Sequence, residues 1–184
     1  MPEELLEPLL RKFRIRMIRK YLLDDAVLCD VGCGNGIFLQ SISPYIKAGY
    51  GFDKKVVESS VGNIHLKKVY LDNHIPLDDG MADCVTLLAV FEHLDQPADL
   101  LRECHRIMKP GGRILITTPS PMSKPLLEFL SFRLNIVSPV EIRDHKHYYS
   151  KVELTTILGH CGFTNLKVKS FEFGLNNFAE GIKP

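Results

Sequence analysis

The sequence predicts an α/β fold, a three-layer sandwich in which helices cover both faces of a mostly parallel sheet. Short apolar runs alternate with helical stretches along most of the chain, which is typical of β-α-β units. The first apolar run leads directly into a glycine-rich turn. With 184 residues, 45% of them hydrophobic, the chain can bury one core, and no stretch resembles a linker between two domains.

The composition excludes several classes of protein. Charged residues make up 24% of the sequence and the formal net charge is +1, so the overall charge does not favour nucleic acid or an anionic membrane. No apolar run approaches the roughly 20 residues of a membrane-spanning helix, and the N-terminus is unlike a secretory signal. The five cysteines form no C-x-x-C pair, as expected of reduced thiols. We therefore expect a cytoplasmic protein without stable membrane insertion.

The N-terminal segment, residues 1–23, is predicted to contain a helix over residues 4–22. Apolar residues recur on one face at steps of three and four, and basic residues occupy the other face. A basic amphipathic helix can contact acidic lipid or RNA. The alternative is a helix that docks on the domain with its basic face in solvent, which the absence of a further basic patch favours.

The core, residues 24–118, is predicted to alternate strands with helices. Its expected strands are Ala26–Val31, Ala48–Phe52, Leu66–Leu71, Cys84–Val90 and Arg113–Thr118. Its expected helices are Gly36–Ser43, Lys54 to about Ser60, and Pro97–Met108. Proline suits the first turn of the last helix, and Pro110-Gly111-Gly112 is a stop signal after it.

The pattern changes after the fifth strand. Residues 119–149 are irregular and rich in proline and apolar residues, with a helical segment expected around Leu126–Leu134. Residues 150–184 are predicted to form a helix from Ser150 to His160 and a sixth strand over Phe163–Phe173. Glu153, three residues after Ser150, completes a capping box at the start of that helix.

The turn after the first strand reads Asp30-Val31-Gly32-Cys33-Gly34-Asn35-Gly36. Glycines in such a turn allow a ligand to approach the backbone closely and tolerate positive φ. A dinucleotide fingerprint needs G-x-G-x-x-G, but Ile37 occupies the third glycine position. The carboxylate of Asp30 would repel a pyrophosphate and favour a cationic or hydrogen-bond-donating ligand. These features argue against a nicotinamide-dependent oxidoreductase.

A second signal is the acid that ends the second strand, in Gly51-Phe52-Asp53. Asp53 lies 17 positions after Gly36, near the roughly 20-residue offset at which an acid reaches a ribose in doubly wound folds. A carboxylate can accept two hydroxyl donors side by side. The alternative is that Asp53 caps a helix that begins at Lys54.

Together with Pro110-Gly111-Gly112, these motifs closely resemble class I S-adenosylmethionine-dependent methyltransferases, over about residues 24–173. The branch it resembles acts on small molecules and includes quinone-biosynthesis enzymes. The resemblance implies a Rossmann-like sheet of order 3-2-1-4-5 with a sixth strand and an antiparallel seventh. Only about ten residues follow Phe173, so we expect the seventh strand to be short or missing. A homodimer could then cover the open edge.

The resemblance also implies the cofactor, S-adenosyl-L-methionine, with S-adenosyl-L-homocysteine as product. Asp53 would hold the ribose hydroxyls. The residues that would border the methionine part are Asp30, Gly32, Gly34 and Gly36.

Two further places in the sequence are implied to contact this cofactor. Asp72, with Asn73 beside it, follows the third strand and would lie near the adenine amino group; the alternative is a solvated loop acid. Ala89, at the end of the fourth strand, would line the pocket. The adjoining Glu92-His93 pair is given a structural role.

Methyl transfer needs a base only if the acceptor must lose a proton. His145 and His147 are the candidate bases, since they follow the fifth strand on the side where parallel sheets bind ligands. Tyr148 or Tyr149 would supply the aromatic residue that related enzymes carry here. The alternatives are a metal site formed by Asp144 with both histidines, or a solvated loop.

The acceptor is expected to be a small apolar or aromatic molecule, methylated on oxygen or carbon. The fourth strand ends in Leu88-Ala89-Val90-Phe91, without the Asn/Asp-Pro-Pro-Tyr motif of enzymes that methylate exocyclic or amide nitrogens. Basic residues do not gather near the predicted site, so we expect no nucleic-acid substrate. Pro119–Val140 would form an apolar lid. The alternative function is a catalytically silent regulatory module that binds S-adenosylmethionine.

Overall fold

The computed structural model describes residues 12–13, 15–70, 74–127 and 143–184. Eight strands form one sheet in the order β3-β4-β2-β1-β5-β6-β8-β7. The strands are β1 Ala26–Val31, β2 Ile46–Asp53, β3 Ser59–Val61, β4 Ile64–Lys68, β5 Ala82–Leu88, β6 Met108–Pro119, β7 Thr164–Phe171 and β8 Asn176–Ile182. The helices with complete bounds are α1 Ile37–Ile42, α2 Pro97–Ile107 and α3 Lys151–His160.

The centre of the sheet is parallel. β1 pairs with β2 on one side and with β5 on the other, and β4 and β6 extend the two halves in the same direction. This arrangement confirms the predicted order 3-2-1-4-5, because β4, β5 and β6 are the predicted third, fourth and fifth strands. The strand order reverses beside β1, so the cleft for a ligand lies beyond the carboxyl end of β1.

Two apolar clusters, one on each face of the sheet, produce the three layers. Leu28 of β1 packs in the cluster that includes Phe38 and Leu39 of α1. The neighbouring Cys29 packs in the other cluster, with α2 and α3. Successive strand residues point to opposite faces, so a strand buried on both sides reads as a continuous apolar run.

The described part of the N-terminal helix docks on the domain. Residues 15–19 are helical, and Ile18 is fully buried in the α1 cluster. The guanidinium of Arg19 lies 3.3 Å from the centre of the Tyr45 ring. This contact supports the docked alternative over a helix free to bind lipid or RNA. Residues 1–11 and 14 lie outside the described residues.

The helix predicted from Lys54 to about Ser60 is wrong. Ser59–Val61 instead forms β3, which turns back through Gly62 and pairs antiparallel with β4. Gly62 has φ +60°, and the side chain of Asn63 donates hydrogen bonds to the carbonyls of Ser43 and Ile46. The segment is too short to sustain a helix, since nucleation is costly, and its valines favour extended backbone.

The seventh strand is present, as β8. Its seven residues pair antiparallel with Arg113–Pro119 of β6, and β7 pairs with its other side. The chain reverses between β7 and β8 within Glu172, Phe173 and Gly174, all at positive φ. Such a short reversal leaves enough chain for a complete strand, so the edge of β6 is covered.

Several smaller predictions are also tested. The capping box of Ser150 and Glu153 at the start of α3 is confirmed. All five cysteines are buried and free. Residues 124–127 are helical, and the rest of the helix expected around Leu126–Leu134 lies outside the described residues. Among the helices of the described ranges, none combines the length and the apolarity needed to cross a bilayer.

Candidate active site

The predicted glycine turn joins the carboxyl end of β1 to α1. The amide groups of Gly32 and Cys33 both donate to the carbonyl of Phe52, at 2.7 and 3.2 Å, so the turn is hydrogen-bonded to the end of β2. The three glycines of the turn have positive φ. At Gly34, an added Cβ would meet no atom within 4 Å. The backbone of Gly34 therefore faces open space, where a ligand can approach it.

Asp53 connects the end of β2 to this turn. Its Oδ2 accepts a hydrogen bond from the amide of Gly34 at 2.9 Å, and its Oδ1 accepts one from the amide of Lys55 at 2.7 Å. The side chain thus caps a turn rather than the helix considered as the alternative. Each carboxylate oxygen can accept a second hydrogen bond, so the side chain keeps capacity for two hydroxyl donors.

Asp30 is a buried carboxyl beside the turn. Burial, together with the nearby charge of Asp53, raises the pKa of Asp30 from the ordinary value of 3.8 to about 7, although the hydrogen bond from Thr86 opposes this shift. The Thr86 hydroxyl donates to Oδ1 of Asp30 at 2.6 Å. Because the charged form of Asp30 is poorly solvated, a positively charged or hydrogen-bond-donating ligand would stabilise it.

Ala89 follows β5 and lies next to the turn. Its φ is +56°, and its amide donates to the carbonyl of Thr117 at 2.9 Å. The next residue, Val90, packs against Gly32 so closely that a Cβ on that glycine would lie 2.3 Å from Val90 Cγ2. The structure therefore brings the turn, Asp53 and the end of β5 together. Asp72 and Asn73 lie outside the described residues.

The two candidate histidines have different surroundings. Nδ1 of the half-buried His145 lies 3.2 Å from the Tyr148 hydroxyl, and its ring meets the ring of His93 edge-on at 4.8 Å. Burial, with the nearby His93, lowers the pKa of His145 to about 4. His147 precedes α3 and faces it: its Nε2 is 2.8 Å from a carboxylate oxygen of Glu153 in that helix.

The sequence analysis missed a group of side chains that lies between the turn after β5 and the segment before α3. Glu92, His93 and His145 place donor atoms within 4.8 Å of one another, and His147 is not part of this group. The amides of Lys146 and His147 donate to the carbonyl of Glu92, at 2.8 and 3.4 Å, and hold the two segments together. The sequence did contain one signal for this group: both segments follow parallel strands, β5 and β6, whose carboxyl ends lie at the same edge of the sheet.

The chain is similar to known methyltransferases. It matches a family model described as "Methyltransferase domain" over residues 3–168. It is 24% identical over 155 residues to the ubiquinone biosynthesis O-methyltransferase of Vibrio parahaemolyticus, which covers 78% of this chain and 66% of that protein. For the enzyme of the same name from Pseudomonas paraeruginosa, the values are 30% over 109 residues, 52% and 45%. The chain therefore spans about half to two thirds of the length of these curated relatives.

Solved structures share the fold. A chain of the complex between the Haloferax volcanii Trm112 methyltransferase activator and a methyltransferase has a TM-score of 0.72 at 15% identity, covering 93% of this chain and 94% of that one. The S-adenosylmethionine-dependent methyltransferase of Mesorhizobium loti has a TM-score of 0.71 at 15% identity, covering 91% and 96%. At this identity the likeness concerns the fold alone, a Rossmann-like sheet with helices around it.

Proposed function

The chain belongs to the methyltransferase domain family, and it shares its fold with S-adenosylmethionine-dependent methyltransferases; we propose that this protein uses that methyl donor to methylate a small apolar or aromatic acceptor. The observation that carries the proposal is the open backbone at Gly34, tied to the carboxylate of Asp53 and adjoining the buried Asp30. Transfer to oxygen or carbon leaves S-adenosylhomocysteine as the second product.

The residues of the turn fit this cofactor. Asp30 favours a positive charge, Gly34 has no neighbouring atom in the way, and Asp53 can accept hydrogen bonds from two ribose hydroxyls. The chemistry that S-adenosylmethionine supplies when bound is a methyl group on a positively charged sulfur, ready for in-line displacement. Ala89, and Asp72 with Asn73, remain proposed contacts to the same cofactor.

The work of the protein in such a reaction is chiefly alignment. Holding donor and acceptor in line and excluding water can supply roughly 7–11 kcal/mol of the barrier. The glycine turn and Asp53 would position the donor. Met122 and Leu126, exposed in the described part of the segment after β6, supply apolar surface for an acceptor without charge.

For an acceptor that must lose a proton, His147 is the better oriented of the two proposed bases. Glu153 lies 2.8 Å from its Nε2 and orients the ring, so Nδ1 is the atom that would take the proton. His145 pairs with Tyr148, and its lowered pKa makes it a weak proton acceptor at neutral pH.

The partners and location follow from the same proposal. The names of the Vibrio and Pseudomonas relatives describe O-methylation, which supports an oxygen acceptor here. The balanced net charge of +1 supports a small molecule rather than nucleic acid. We propose that residues 1–184 act as a single domain in the cytoplasm, and a homodimer stays a prediction.

Calorimetry with the full chain tests the cofactor. We expect S-adenosylmethionine and S-adenosylhomocysteine to bind with Kd on the order of micromolar and NAD to give no heat. Transfer of a labelled methyl group to a panel of phenols then tests the reaction. Binding of NAD in place of the other two would contradict the proposal, and tight cofactor binding without transfer to any acceptor would favour a silent binding module.

A substitution at Asp53 tests the ribose contact. Asp53→Ala should weaken S-adenosylmethionine binding by roughly 1–3 kcal/mol, about 5- to 150-fold in Kd, because charge-assisted hydrogen bonds are lost. The matched control is Asp24→Ala, an exposed acid at the amino end of β1. Equal affinity of the Asp53 variant and the control would refute the ribose assignment.

A further inference from the structure

The strongest unassigned feature is the group formed by Glu92, His93 and His145, which we call the cation cluster. Glu92 and His93 belong to the 3-10 turn Phe91–His93 after β5, and His145 lies in the segment before α3. Their donor atoms lie within 4.8 Å of one another, so side-chain rotations bring them to one ion. We propose that the cation cluster binds a divalent cation of the first transition series, such as Zn²⁺ or Co²⁺.

Both histidines of the cluster are oriented by a second contact. Nδ1 of His93 lies 3.1 Å from Oδ2 of Asp144 and 3.3 Å from its carbonyl oxygen. Nδ1 of His145 lies 3.2 Å from the Tyr148 hydroxyl. In each ring, therefore, Nε2 is the nitrogen that would ligate the ion. Histidine ligands of metal ions almost always use their other nitrogen in this way, because the contact sets the tautomer and the angle of the ring.

Glu92 supplies the negative charge. Its side chain is almost fully buried, and Oε2 accepts a hydrogen bond from the Thr118 hydroxyl at 3.1 Å. Thr118 is itself buried near the end of β6, so the carboxylate is held by the sheet. Buried charges in proteins are paired or coordinate metal ions, and a cation between Glu92 and the two rings would be one such partner.

The mixture of donors selects the ion. Two imidazole nitrogens and one carboxylate suit Zn²⁺, Co²⁺ or a similar ion, whereas Mg²⁺ and Ca²⁺ prefer oxygen ligands. Three protein ligands also leave a coordination position open, as in catalytic rather than structural zinc sites. A ligand from solvent or from a substrate can occupy that position.

The location suggests what that ligand is. Val90 packs on Gly32 of the turn, and Glu92 follows two residues later, so the cluster adjoins the proposed methyl-donor site. An acceptor hydroxyl bound to the ion would ionise more readily, since a bound cation lowers the pKa of its oxygen ligand. This role rests on the proposed function, whereas the binding of the ion does not.

The test measures the ion directly. Full-length protein treated with a chelator is titrated with Co²⁺, followed by visible absorption, and with Zn²⁺, followed by calorimetry. We expect one ion per chain, and binding weakened about tenfold or more by His93→Ala, His145→Ala and Glu92→Gln. Asp144→Asn should cost about 10- to 100-fold, as is usual for residues that orient metal ligands.

His147→Ala is the matched control. This histidine lies two positions from His145 but contacts Glu153 instead of the cluster, so its removal should leave ion binding within about twofold of the unsubstituted protein. Loss of binding in His147→Ala equal to that in His145→Ala would overturn the cluster in favour of a site built from Asp144, His145 and His147. Absence of Co²⁺ absorption in the unsubstituted protein would overturn it outright.

Two measurements keep these outcomes distinct. Circular dichroism shows whether each variant is folded. If the Glu92→Gln variant, which alters a buried side chain, does not fold, ion binding by His145→Ala tests the cluster instead. Calorimetry of S-adenosylmethionine on the metal-free protein reports the proposed function separately. Cofactor binding without ion binding removes the cluster alone, and ion binding without cofactor binding removes the proposed methyl transfer while keeping the ion site.

Discussion

At the scale of single residues, Asp53 is the contact that makes one site out of two sequence signals. It lies 19 positions after Gly34, yet its Oδ2 accepts the amide hydrogen of that glycine at 2.9 Å. The same carboxylate also holds the amide of Lys55. The sequence motifs identified both residues, and they predicted only that Asp53 would contact the ribose of a ligand bound at the turn. The folded chain shows in addition that Asp53 accepts a hydrogen bond from the turn itself.

Gly34→Ala should separate the cost of backbone strain from the loss of a ligand surface. Gly34 and Gly62 both have positive φ and no atom within 4 Å of an added Cβ. Alanine at either position should therefore cost roughly 1 kcal/mol of stability through its φ alone. Only Gly34→Ala should also weaken S-adenosylmethionine binding, by about tenfold or more, because the methyl group enters the space that the cofactor would use.

Urea denaturation and calorimetry on both variants measure these two effects. Gly62 lies in the hairpin at the far end of β4, away from the carboxyl edge of the sheet. Equal cofactor affinity in the two alanine variants would show that the open space at Gly34 is not the cofactor site.

Asp30 predicts a pH dependence of stability in the absence of cofactor. Its pKa is about 7 when folded and near 3.8 when unfolded, so the folded state holds the proton more tightly. The stabilisation is complete below the unfolded pKa and is lost as the pH rises through the folded one. Between pH 5 and pH 8 the loss should be roughly 2–3 kcal/mol.

Asp30→Asn should abolish that part of the pH dependence, since the amide does not titrate. Denaturant unfolding of both proteins at pH 5 and pH 8 provides the comparison. Taking the difference between the two proteins cancels the opposite contribution of His145, whose lowered pKa makes the folded state less stable as the pH falls. A parallel pH profile in the two proteins would show that Asp30 does not carry a raised pKa.

At the scale of elements, the sequence patterns were most informative where the signal is local. The capping box of α3 rests on two residues three positions apart, and the glycine turn on seven consecutive residues. The hairpin β3–β4 and the strand β8 depend instead on how short turns direct the chain. Glu172 and Phe173 adopt positive φ without being glycine, so no residue type announces the reversal before β8.

Phe173→Gly should stabilise the turn between β7 and β8. The side chain of Phe173 is fully exposed and its φ is +57°, so glycine removes the strain while losing almost no packing. We expect a gain of about 1 kcal/mol in the free energy of unfolding. The control is Val57→Gly, an exposed apolar residue outside the positive-φ region, which should lose stability. Equal losses in both variants would mean that the turn is not strained at Phe173.

At the scale of the whole molecule, the parallel centre of the sheet decides where the chemistry can occur. β1, β2, β5 and β6 point the same way, so the turn, Asp53 and the cation cluster come from different parts of the chain to one edge. The outer strands of the sheet are β3, which has three residues, and β7, which carries Lys167 and Lys169. Short edge strands and lysines discourage pairing between sheets. The homodimer was expected in order to cover an open edge beside β6, and β8 already covers that edge.

The order of the parallel strands was implied by the family resemblance. The amino-acid sequence by itself determined the class of fold and the residues of the glycine turn with Asp53. These depend on hydrophobic period and on motifs of a few residues, whose physics acts over short stretches of chain. Only the tertiary structure decided that β8 completes the sheet, and that His145, and not His147, lies beside Glu92 and His93. Which strand ends become neighbours depends on packing between distant segments, and no local pattern records that choice.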